Sequence, residues 1–151
     1  MVRRLRDEDG SAIAETAIAC TIIMTLFFGV IQMSWGLYAY HYTAEAARMA
    51  TRYAMVRGSA CSSWASACPA SSDDVQNYVK GLGFAGINPA NITVTTTWPT
   101  TGSACTPSST PCNNPGNLVN VKVKYAIGFT IPYVPTINLN MSSTAQVIIS
   151  Q

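Results

Sequence analysis

Few residues in this 151-residue chain have types and spacing that could do chemistry. Histidine occurs once, at His41. That leaves neither a histidine-based metal cluster nor a Ser/His/Asp triad. Four cysteines fall into two pairs of equal spacing, Cys61 with Cys68 and Cys105 with Cys112, each in a Ser/Thr/Ala/Pro-rich stretch. Zinc-binding pairs usually have two to four residues between ligands. Here six intervene and no histidine is near, which favours disulfides. Four cysteines allow three pairings. The local bridges Cys61–Cys68 and Cys105–Cys112 close the shortest loops and are the pairing expected. Cys20 sits in an apolar run, where a thiol acts as a small hydrophobe. Residues 81–86, GLGFAG, match G-x-G-x-x-G, but they follow a predicted helix and no acid occurs after Asp74 to hold a ribose. They read as a helix stop and turn. Asn91-Ile92-Thr93 and Asn140-Met141-Ser142 match the N-glycosylation pattern, yet both lie in or beside predicted strands and are read as chance matches.

The elements that carry these residues are unusual. Only 11% of residues are charged, against about 25% in ordinary soluble domains. The net charge of +2 provides no basic field for a nucleic-acid backbone. Thr16 to Tyr42 is a run of 27 residues with no formal charge, His41 being neutral, and the first proline is Pro69. About 20 apolar residues suffice to cross a bilayer as a helix. A membrane segment over about residues 12–42 is therefore expected, with Trp35, Tyr38, Tyr40 and Tyr42 in the headgroup zone. Residues 43–57 continue the helix without Gly or Pro, and Gly58 is a C-terminal stop. A single helix over 11–57 would be about 70 Å long at about 1.5 Å per residue, over twice the hydrocarbon thickness. Its second half must lie along the chain's own domain or against other copies. A stripe of mostly small residues, Gly29, Met33, Gly36, Tyr40, Thr43, Ala47, Ala50 and Ala54, follows steps of four and three, and this suits close helix–helix packing.

The first fifteen residues balance Arg3, Arg4 and Arg6 against Asp7, Glu8 and Asp9, followed by Gly10. A Sec signal peptide would run directly into a shorter apolar stretch. Glu15, at the mouth of the apolar run, is the anomaly, because a carboxylate entering hydrocarbon costs a few kcal/mol. It either remains among the headgroups as a helix-start acid or pairs with a positive group at membrane depth. A new amino terminus on a neighbouring copy, cut after Gly10, would serve.

A short charged leader ending in Gly, then a long apolar helix with Glu at the fifth position after the cut, resembles a type IV prepilin. The string GSAIAETA, the aromatic cluster and AARMATRYA resemble the TadE-like pseudopilins of tight-adherence pili, most strongly over residues 10–57. The resemblance implies a leader over 1–10 and cleavage between Gly10 and Ser11 by a prepilin peptidase on the cytoplasmic side. It further implies Glu15 as the assembly residue. The partners implied are other copies or related pilins, the inner-membrane pilus assembly machinery, and the lipid bilayer before assembly. Ser11 departs from the Phe usual after the cut in ordinary pilins. The large cysteine-bearing C-terminal part favours a minor pseudopilin over the main shaft subunit.

Arginines near the membrane number three on each side, so they do not orient the helix. Disulfides require an oxidising compartment, which places residues 58–151 outside the cytoplasm as a head. A short helix is expected over Asp73–Leu82, capped by Ser72 or Ser71. Strands are expected over 92–98, 118–131 and 141–150, with a Pro-rich loop at 99–117. The fold class expected is α+β: the long helix, a short helix and a three-stranded antiparallel sheet. The expected role is a pilin-like structural subunit without cofactor. The alternative is an unpolymerised, membrane-anchored periplasmic scaffold or binding domain. An anchored enzyme is the third class, but Asp73, Asp74 and His41 make no nucleophile–base–orienter set.

Overall fold

The computed structural model describes residues 3–61, 67–99, 112–129, 135 and 137–150; the side chains of residues 3–9 are outside that description. In chain order the elements are α1 (Arg3–Met55), α2 (Ser72–Lys80), a 3-10 turn (Pro89–Asn91), β1 (Ile92–Thr97), β2 (Leu118–Phe129) and β3 (Ile137–Ile148). The architecture is α+β, with the far half of α1 and all of α2 packed on one face of an antiparallel sheet ordered β1-β2-β3.

α1 forms because its sequence carries no proline and its hydroxyls are satisfied locally. Thr21, Thr25 and Ser34 donate to the carbonyls of Ala17, Thr21 and Val30, at 2.9, 2.8 and 2.9 Å. Thr16 donates to Ala12 and Ile13. These back-bonds let polar side chains sit on an apolar helix without an external partner. The helix ends at Met55, two residues before the expected Arg57, and Arg57 N–H closes a last turn on Ala54. Ser150 N–H donates to the terminal Met55 carbonyl at 3.2 Å, so the chain's far end caps the helix.

The sheet follows period-two alternation. Val119, Val121, Val123, Tyr125 and Ile127 are buried against the helices, while Lys122 and Lys124 face away. β1 buries Ile92, Val94 and Thr96. β3 starts at Ile137, four residues before the expected Met141, because it pairs with β2 residue for residue from Phe129↔Ile137 to Leu118↔Ile148. Its first residues, INLN, carry the period-two alternation back from Met141, and their pairing with β2 extends the strand to Ile137. Residues 130 and 131, expected in the second strand, and most of the loop at 99–117 lie outside the described residues.

The Cys61–Cys68 bridge is present, with Cα atoms 6.0 Å apart. Cys112 is disulfide-bonded. Its expected partner Cys105 lies outside the described residues.

α2 starts at a capping box. Ser71 Oγ accepts from Asp74 N–H, and the Asp74 carboxylate accepts from Ser71 N–H at 2.9 Å and Ser71 Oγ at 2.6 Å. These hydrogen bonds hold the Asp74 carboxyl below its ordinary value of 3.8. A depressed carboxyl contributes stability above its unfolded value and loses it as pH falls through the folded one. Ser71→Ala should therefore cost about 1 kcal/mol at neutral pH. The gap between variant and parent melting temperatures should narrow once pH falls below about 4. A gap that stays constant down to pH 2 would show that the carboxylate takes no part in the cap.

Candidate assembly site on the long helix

Two lengths of α1 have different surroundings. From Gly10 to Ser34 almost every side chain is exposed, including Ile22, Leu26, Phe27 and Ile31. From Gly36 onward one face is buried under the head. Ser11–Ser34 is 24 residues, about 36 Å at about 1.5 Å per residue, enough to cross about 30 Å of hydrocarbon. By length and apolar composition the helix is able to span a membrane.

The head begins where the free length stops. Trp35 lies over Gly86, where a Cβ would sit 2.2 Å from the indole Cη2. Tyr38 donates its hydroxyl to the Ala85 carbonyl at 3.1 Å. Tyr42 meets Phe84 edge-on at 4.8 Å and Tyr125 at 6.1 Å. The GLGFAG segment thus stops α2 and clamps the aromatics of α1. Gly83 and Gly86 adopt φ of +63° and +74°, a conformation that glycine supplies without a Cβ clash. Within the aromatic cluster, Tyr42 departs from the expected headgroup position, while Tyr40 is 55% exposed. Tyr42 is core, only 3% exposed, and Trp35 and Tyr38 are half-covered by the head. The expected membrane limit of about Tyr42 falls inside the head; the uncovered helix stops at Ser34. The spacing of the aromatics was visible in the sequence, but the loop that receives them is some fifty residues away.

The small-residue stripe is likewise divided. Gly36, Thr43, Ala47, Ala50 and Ala54 are buried within the chain, on the face of α1 that packs on its own head. Alanines on this face let the valines of β2 approach the helix backbone closely, which is the reason for the small side chains. Gly29 has nothing within 4 Å of its Cβ position and remains open, and Met33 and Tyr40 are exposed.

Gly10, Ser11 and Glu15 are exposed and lie within α1, which already begins at Arg3 in the expected leader. Ser11 and Glu15 are four residues apart and share one face. Glu15 has no ion-pair partner among the described residues; Arg48 and Glu45 pair at 3.8 Å on the surface. Gly10 has open space on all sides of its Cβ position. Cys20 is a free, exposed thiol on the apolar length. His41 is exposed, beside the Tyr40 ring at 6.2 Å, and Asp73 is exposed on α2 beside the capping Asp74. Among the described residues no three His, Cys, Asp or Glu side chains cluster as a metal site.

The fold and this helix define a protein with an α+β head carried at one end of a long helix able to cross a membrane. Residues 10–52 match the family model described as TadE-like protein, the family resembled by the same stretch of sequence. The match starts at Gly10 and covers Glu15, the free apolar length and the first part of the head contact. No curated protein and no solved structure matches the chain.

The clamp can be broken at one atom. Gly86→Ala should destabilise the head by about 1–3 kcal/mol, since it combines a positive φ with the displacement of Trp35. Gly29→Ala should leave head stability unchanged or slightly raised. Denaturant melts of the detergent-solubilised full chain compare the two. Equal midpoints for Gly86→Ala and the parent would refute the clamp.

Proposed function

We propose that this chain is a pilin-like structural subunit of a tight-adherence-type filament, cleaved after Gly10 and assembled through α1. The observation that carries the reading is the free apolar length Ser11–Ser34, whose single formal charge is Glu15, next to a glycine at the start of the TadE-like match. Its work is packing, and no catalytic step or cofactor belongs to it. The Cys61–Cys68 bridge supports a head outside the cytoplasm, with α1 in the bacterial inner membrane and a cytoplasmic amino terminus open to a prepilin peptidase. After assembly the subunit is extracellular.

Cleavage would expose the Ser11 amine, whose reference pKa of about 7.7–8.0 keeps it mostly protonated at neutral pH. In a staggered bundle, Glu15 of an incoming subunit meets the amine of its predecessor. Coulomb attraction is stronger in lipid than in water, but desolvation offsets much of it, so the pair fixes register more than it adds stability. The burial of Gly36, Thr43, Ala47, Ala50 and Ala54 under the chain's own head favours a second reading, an unpolymerised membrane-anchored scaffold, because it leaves few small residues for helix pairing.

Two measurements separate these readings. Intact mass of the protein from membranes and from sheared filaments should correspond to 141 residues starting at Ser11, 151 less the ten-residue leader. A chain retaining Met1 in both fractions would reject cleavage. Glu15→Ala should leave insertion and cleavage intact and abolish filament incorporation, and Glu15→Gln should fall between. Wild-type incorporation by Glu15→Ala would make Glu15 only a helix-start residue at headgroup level.

A further inference from the structure

The sheet has two faces, and the fold uses only one of them. The inward face meets α1 and α2. The outward face is uncovered, and its centre is polar. Lys122 and Lys124 stand there on the middle strand, two residues and therefore about 7 Å apart. The register sets Thr95 and Thr144 on either side of Lys122, and Thr93 and Ser142 on either side of Lys124. All six residues are exposed. Each lysine thus has a hydroxyl-bearing neighbour across both adjoining strands, at about 5 Å between Cβ atoms.

This face carries no counter-charge. An acid directly opposite a lysine on the next strand would stabilise it. No Asp or Glu follows Asp74, so β1, β2 and β3 contain none. Neither lysine makes an ion pair among the described residues. Two like charges on one strand, with only hydroxyls beside them, leave a local positive potential that the sheet does not neutralise. Aromatic rings are missing as well, because Tyr125 and Phe129 lie on the inward, core side. A ligand for this face must bring anionic groups and hydrogen-bonding hydroxyls, and it gains nothing from stacking.

We propose that the outward sheet face binds an acidic polysaccharide, a uronate-bearing chain whose carboxylates meet Lys122 and Lys124 and whose hydroxyls meet the flanking Thr and Ser. Charge complementarity selects this partner. A second copy offers little to match the lysines. Its Glu45 pairs with Arg48 and its Asp74 with Ser71, which leaves Asp73 as the head's other acid. Single-stranded nucleic acid would want aromatic platforms for its bases, and a duplex would want more than two phosphate contacts. A bilayer surface is excluded by direction. β2 and β3 run along α1 from its end, where Ser150 N–H meets the Met55 carbonyl, down to Gly36 beside the Phe129 ring. With α1 in a membrane, the face therefore stands upright beside the helix axis and cannot lie on the lipid. The inference needs the head outside the cytoplasm, as proposed above, and does not depend on filament assembly.

The test uses the full chain in phosphatidylcholine nanodiscs and measures binding of alginate, with neutral dextran and a short DNA duplex for comparison. Alginate should bind, more weakly as salt rises, and dextran should not. Lys122→Gln with Lys124→Gln should weaken alginate binding about tenfold or more, while Arg48→Gln on α1 leaves it unchanged. Thr95→Val with Thr144→Val should weaken it about threefold and leave any duplex binding as it was. No alginate binding, binding indifferent to the lysine pair, or duplex binding as tight as alginate overturns the inference. The lysine-pair variant should also reach sheared filaments as the parent does. Loss of both filament entry and alginate binding would make the lysines assembly residues and overturn the inference too. The binding result stands whether or not the chain polymerises.

Discussion

The close contact between the alanine-lined face of α1 and the valine-lined face of β2 is the constraint on which the rest of the molecule depends. Ala39, Ala46, Ala47, Ala50 and Ala54 have almost no accessible surface, and neither do Val119, Val121 and Val123 opposite them. A larger side chain on the helix would hold the sheet off and lose these contacts, because interiors are packed to crystal-like density. Each buried valine contributes on the order of 1.5–3 kcal/mol relative to exposure. The contact also explains why α1 is one uninterrupted helix, since its outer half is the spine of the head.

That spine transmits position. The aromatic clamp of Trp35, Tyr38 and Tyr42 on residues 84–86 sets where the head starts, and the Ser150–Met55 hydrogen bond sets where the helix ends. Between them the head is fastened to the helix, and Ser34 is the last residue before the covered length begins. The exposed apolar helix below that level is stable only in lipid or against other apolar helices. Glu15 is the one formal charge on the uncovered length from Ser11 to Ser34.

The stripe of small residues served two demands that cannot be told apart by composition. Alanine and glycine allow close approach to any partner surface, a sheet or a second helix. Here the sheet takes Gly36 to Ala54, and only Gly29 stays open. The same division explains the aromatics. Rings near a membrane boundary suit the headgroup zone, but Tyr42 finds Phe84 and Tyr125 within reach and enters the core.

The sequence by itself determined the long helix, the alternation of β2, the capping box at Ser71 and the local Cys61–Cys68 bridge. Each is a local signal, a matter of periodicity, spacing or a few adjacent residue types. Tertiary structure decided which face of α1 meets the head, where β3 begins, and what GLGFAG does. Those outcomes depend on residues brought together from far apart, Trp35 with Gly86, Gly36 with Phe129, and Ile137 with Phe129 across the hairpin. No pattern within one segment records the partner across the fold, because a small or aromatic side chain satisfies several different neighbours equally well.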